Sequence, residues 1–169
     1  KNAVILLHGY GGDGKDISML SLSWKRHMPN TVFICPNGHE TCVVNPAGYQ
    51  WFDLSKEDLN YILSQSIKAE NKIKQFIEEI KKEFNLTHNQ ICLSGFSQGC
   101  MMSLNVGLTS KEKFLCIVGF SGKIIDQNNL KERINNSTDT LLIHGDVDQV
   151  VPSIHLLEAK DFLIRNSVE

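Results

Sequence analysis

The sequence has no long apolar run. Its longest, AVILL at 3–7 and FLCIVGF at 114–120, fall well short of the roughly 20 residues a membrane-spanning helix needs. It has no excess of either charge: 17 Lys and Arg stand against 19 Asp and Glu, for a net charge of -2. That balance speaks against a nucleic-acid partner and against an anionic membrane surface. No two of its five cysteines, Cys35, Cys42, Cys92, Cys100 and Cys116, have CxxC spacing, which removes the zinc-site patterns. An odd number of scattered cysteines, mostly inside apolar runs, is the pattern of free buried thiols, and a reducing, cytoplasmic compartment is the expectation. Internal repeats, low-complexity segments and a signal-peptide pattern are absent too. The chain starts at Lys1 without an initiator Met and enters a strand-like segment at once, which reads as a fragment.

What is present is enough chain, 169 residues at 41% hydrophobic, for one domain, 1–169, with a substantial core. Two kinds of segment alternate. Short β-branched runs at 2–8, 31–35, 90–94, 114–120 and 140–144 are bounded by Gly, Pro, Asn or Asp and read as buried strands. Between them lie helical patterns. The clearest runs from Leu63 to Phe84, where Leu63, Ile67, Ile73, Phe76, Ile77, Ile80 and Phe84 recur at three- and four-residue steps. Others are expected at about 98–108 and 153–165. The stretch 36–58 has no pattern, and a loop that long is often functional. Apolar strands alternating with helices imply an α/β fold: a mostly parallel sheet with helices on both faces. Right-handed crossovers then gather the strand C-terminal ends on one edge, where such folds bind ligands.

Three polar motifs each follow a predicted strand and so share that edge. GFSQG, 95–99, places a serine on a strand–turn–helix junction with glycine two residues to either side. A nucleophile raised above a sheet edge needs both glycines, because larger side chains would collide across the sharp turn. A strand end with an N-cap serine is the plainer alternative. HGYGGDGKD, 8–16, can aim the Tyr10 backbone N–H at a developing oxyanion, with Gln98, next after Ser97, as the second donor. His8 reads as a residue that fixes the loop. HGDVDQVVP, 144–152, offers Asp146 and Asp148, either to orient a histidine or simply to form the turn. A rival reading takes GYGGDGK, 9–15, as a phosphate-binding loop. There the next residue should be Ser or Thr for Mg²⁺, and here it is Asp16, an anion where phosphate charge must be neutralised.

Taken together, GFSQG, HGYGGDG, GYQWFDL and HGDVDQVVP resemble the carboxylesterase/phospholipase family of α/β-hydrolases, which includes the acyl-protein thioesterases. The resemblance covers most of the chain. It implies an α/β-hydrolase fold and a cofactor-free, metal-free serine esterase, with Ser97 as nucleophile and Asp148 rather than Asp146 as the orienting acid. It places Trp51 and Phe52 beside the substrate groove. The implied substrates are small-molecule or lipid esters, or acylated proteins. One departure stands out. The family's catalytic histidine lies beyond the acid, after one more strand, and the sequence ends at Glu169, 21 positions past Asp148. His155 is the one histidine in that interval. The expectations are a C-terminally truncated hydrolase, nearly inactive as given, and an unpaired edge on the strand ending at His144 that favours self-association. The alternative is an inactive binding module on the same fold.

Overall fold

The computed structural model describes all residues, 1–169. Strand β1 (Asn2–Leu7) lies inside a five-stranded sheet with β2 (Thr31–Ile34), β5 (Ile91–Phe96), β6 (Cys116–Phe120) and β7 (Thr140–Ile143), in the order β2-β1-β5-β6-β7, with β5 at its centre. Every pairing in this sheet is parallel, so all five C-terminal ends point to one edge. Chain order places β2 on one side of β1 and β5 on the other. The crevice between the segments leaving β1 and β5 is therefore the point where strand order reverses.

Alternation along the strands sends side chains to two layers. Ala3, Ile5, Leu7, Ile91 and Leu93 pack against helices α2 (Leu59–Phe84) and α3 (Gln98–Thr109) in a cluster of 16 buried residues. Val4, Leu6 and Cys92 face the other way, toward Ile17 and Trp24 of helix α1 (Gly14–Lys25). Helices α4 (Gln127–Arg133) and α5 (Ile154–Arg165) extend the first layer, with Leu104, Leu108, Ile117, Leu130 and Phe162 forming a second cluster.

The long helix begins four residues before its clear apolar pattern, because Asp58 caps it by accepting from the Tyr61 N–H. It ends at Asn85, whose φ of 52° is left-handed. Helices α1 and α4 were not expected. In α1 Ile17, Leu20 and Trp24 keep helical spacing, but Met19 and Leu22 interrupt the stripe, and Met19, Leu20 and Leu22 are exposed. What starts each is a cap, Asp13 accepting from Asp16 N–H and Asp126 accepting from Asn129 N–H. The unpatterned stretch after β2 holds a two-residue antiparallel pair, β3 (Glu40–Thr41) with β4 (Tyr49–Gln50). β7 is an edge strand, with Leu141 and Ile143 exposed on it. No helix is long and apolar enough to cross a membrane.

Candidate active site

Ser97 sits between the end of β5 and the start of α3 with φ 52° and ψ −113°, a conformation that costs a non-glycine residue on the order of 1–3 kcal/mol. The surrounding structure enforces it. Ser97 N–H donates to Phe120 O at 2.8 Å, and its carbonyl accepts from Met101 N–H at 3.1 Å. A Cβ on Gly95 would stand 2.3 Å from the Gly99 carbonyl carbon, and one on Gly99 would stand 2.1 Å from Leu7 O. Both positions therefore demand glycine, Gly95 because of the turn itself, as the motif implied, and Gly99 because the end of β1 lies against it. The Ser97 hydroxyl makes no capping bond to α3. As the residue opening α3, Gln98 has a backbone N–H with no intrahelical acceptor.

The loop after β1 runs beside this turn. His8, 1% exposed, is bonded through both ring nitrogens: Nδ1 contacts Gly9 O at 2.7 Å and Nε2 meets Gly38 N–H at 2.8 Å. A carbonyl can only accept and an N–H can only donate, so the ring is neutral with its proton on Nδ1. Burial pulls its pKa down, opposed by the Gly9 bond and the Asp13 charge. The Tyr10 N–H forms no backbone bond, while Gly11 N–H donates to Tyr49 O and Tyr49 N–H donates to Gly12 O. Burial, followed by the nearby Cys42, raises the Tyr10 hydroxyl pKa. The N–H groups a phosphate would need at α1 are already taken: Gly14 N–H donates to Asn37 Oδ1 and Asp16 N–H to Asp13 Oδ1. This tells against the phosphate-loop reading.

Trp51 and Phe52 lie just past β4. Their rings are only 3% and 1% exposed, because they fill the core between sheet and helices. They belong to the core rather than to an open wall. A role for Gln98 invisible in the sequence appears here. Its side chain is fully buried, and its amide accepts from Trp51 N–H at 2.9 Å and donates to Phe52 O at 2.7 Å. The Trp51 indole N–H donates to His8 O at 2.9 Å. Beside the loop after β1 an open groove of about 350 Å³ is lined by Tyr10, Ile17, Leu20 and Phe96, among others.

Asp148 lies in the loop after β7. Its Oδ1 accepts from the N–H groups of Val150 and Val151, each at 2.9 Å. Those two bonds, Val151's first, hold its pKa below the usual carboxylate range, with smaller help from the Ser121 hydroxyl and His144. Oδ2 stands 3.6 Å from His144 Nε2. Asp146 is exposed. Ser121, with φ 48°, follows β6 and donates its N–H to Ile143 O. Its left-handed backbone is hidden in the sequence FSG.

None of the six histidines hydrogen-bonds to Ser97. His144 uses Nε2 on Val151 O at 2.7 Å and closes the loop that carries Asp148. His155 pairs with Glu158 at 2.8 Å on α5. His88 lies beneath the sheet, between Glu78 and Glu112. No three His, Cys, Asp or Glu side chains gather closely enough to hold a metal ion, and all five cysteines are free thiols.

A parallel sheet that reverses strand order beside a strained, glycine-flanked serine defines an α/β-hydrolase. The family model for phospholipases and carboxylesterases matches residues 1–168, and the chain belongs to that family. It is 30% identical over 174 residues to acyl-protein thioesterase 1 of Saccharomyces cerevisiae, spanning 96% of this chain and 77% of that protein. Against acyl-protein thioesterase 1 of Schizosaccharomyces pombe the identity is 28% over 175 residues, spanning 96% and 75%. The crystal structure of esterase PE8 superposes with a TM-score of 0.94 at 38% identity, covering 99% of this chain and 79% of that one.

Proposed function

We propose that the protein is a serine hydrolase that cleaves carboxylic esters or thioesters through an acyl-enzyme on Ser97. The observation that carries the reading is the Ser97 backbone, held at φ 52° by neighbours that leave room only for glycine at 95 and 99, for a hydroxyl that caps nothing. Ser97 Oγ attacks the acyl carbonyl as a base takes its proton. The resulting oxyanion is held by the backbone N–H groups of Tyr10 and Gln98. The alcohol or thiol departs with a proton, and water hydrolyses the acyl-serine. Asp148, kept ionised by two backbone N–H groups, orients the base. The acyl group lies in the groove by Tyr10, Leu20 and Phe96. An apolar groove suits lipid esters, and the named thioesterase relatives extend the candidates to acylated proteins.

None of the six histidines within residues 1–169 bonds to Ser97, so none of them stands positioned as its base. Residues 1–169 alone are then expected to be nearly inactive, the loss of a triad base costing on the order of 10⁶-fold in turnover. The same observation favours a second reading, an inactive binding module on this fold. Treating the full-length protein with a fluorophosphonate probe and reading intact mass separates the two. Labelling that Ser97→Ala abolishes, and Ser94→Ala does not, supports the hydrolase. An unlabelled wild-type protein favours the module, and adduct on another serine overturns the assignment. A series of p-nitrophenyl esters of rising chain length then gives the acyl preference.

A further inference from the structure

We infer that the segment 49–52 is a strut that fixes the separation of the two oxyanion donors, with Trp51 and the Gln98 side chain as positioning residues. This rests on the hydrolase reading above and goes beyond it. The two donors come from distant parts of the chain. Tyr10 follows β1 and Gln98 opens α3, and no bond between their own backbones joins them. The segment 49–52 bonds to both sides. At one end Tyr49 exchanges backbone bonds with Gly11 and Gly12, immediately after Tyr10. In its middle the Trp51 indole N–H reaches His8 O, just before Tyr10, at 2.9 Å, and its ring lies 5.1 Å from the His8 ring. At its other end Trp51 N–H and Phe52 O are both held by the Gln98 amide. Tyr10 is thus tied on either flank to the same four residues that grip Gln98.

The amide is the one side chain of that length that fits both partners at once. It meets an N–H with an acceptor and a C=O with a donor, and neither partner can turn to water, because Trp51 and Phe52 are 3% and 1% exposed. A donor displaced by a fraction of an ångström still binds a ground-state carbonyl but loses the developing oxyanion. The signature of the strut is therefore a fall in kcat at nearly constant KM.

Two variants of the full-length protein test this. Trp51→Phe keeps an aromatic ring in the core while removing the indole N–H along with part of the ring volume. Gln98→Glu keeps the shape, and its carboxyl can donate to Phe52 O only when protonated. With a p-nitrophenyl ester, Trp51→Phe is expected to lower kcat about 10- to 100-fold with KM within threefold. For Gln98→Glu the ratio of its kcat to that of wild type is expected to rise as pH falls and the buried carboxyl, its pKa raised by burial, takes up a proton. A kcat for Trp51→Phe within twofold of wild type overturns the strut, as does a raised KM at constant kcat. Should Trp51→Phe fail to fold, a Gln98→Glu ratio flat from pH 5 to 8 overturns it alone. Fluorophosphonate labelling of wild-type Ser97 serves as the control: without it the hydrolase reading itself has failed, whereas labelling together with unperturbed variants refutes only the strut.

Discussion

Asp146 and Asp148 are two positions apart and chemically alike, yet only one is built into anything. Asp148 accepts two backbone N–H groups, while Asp146 is exposed. In the full-length enzyme Asp148→Asn is expected to lower turnover about 10⁴-fold through the wrong histidine tautomer, and Asp146→Asn to change it little. Equal losses in steady-state kinetics would show that the wrong carboxylate was chosen. His8 makes a separate prediction, about acid. Its Nε2 must accept from Gly38 N–H, so protonation replaces a bond with two facing donors. Because burial lowers its folded pKa, its contribution is complete above the unfolded value near 6.5 and is lost as pH falls through the lower folded value. Against a His8→Gln variant, which does not titrate, the wild type should lose about 1–3 kcal/mol between pH 7 and acid, the cost of one buried unpaired N–H. Urea midpoints that fall in parallel for the two proteins would contradict this.

Among the elements, the tie between α2, α3 and α4 has a single carboxylate at its centre. Glu70, 3% exposed, accepts from Lys74, Arg133 and Thr109 at 2.8, 2.8 and 2.7 Å. Burial alone would raise its pKa, and the bonds from Lys74, Arg133 and Thr109 more than reverse that. Glu70→Leu should destabilise by roughly 2–4 kcal/mol, since it strands two cations that are themselves only partly wet. A denaturation midpoint unchanged from wild type would show that water replaces the carboxylate at no cost. Nothing in the pattern between Leu63 and Phe84 separates Glu70 from its exposed neighbours Lys68 and Lys72. The strands of the main sheet were legible because each is a short β-branched run bounded by turn residues, and β1 and β5 are buried on both faces. The glycine at 95 was legible because its need is local, across the turn from Gly99, whereas the one at 99 answers to the Leu7 carbonyl of β1. Helix α1 was not legible, because a cap rather than an unbroken apolar stripe begins it. Nor were Gln98's amide and the burial of Trp51, which arise between segments 47 residues apart, residues 51 and 98.

At the scale of the whole molecule, β1 is the strand on which the arrangement turns. It pairs with β5 in a register that sets Ala3 beside Ile91, 88 positions along the chain. Such a contact rewards nothing until the intervening chain has closed, so contacts of high sequence separation slow folding rather than weaken the folded state. Refolding of the full-length protein should take roughly milliseconds to seconds, and stopped-flow fluorescence from Trp51, buried beside His8, should report the last stage. A Trp51 signal complete within microseconds would show that the core around it collapses without the β1–β5 pairing. During synthesis the consequence is sharper. At about 5–20 residues per second, the apolar strand NAVILL waits several seconds after emerging before β5 exists to cover it. Through that interval β2 is its sole partner, and its other edge is open to any neighbouring strand. The internal position of β1, paired on both edges only once β5 has been made, thus makes the nascent chain a natural client for whatever shields unpaired strands at the ribosome.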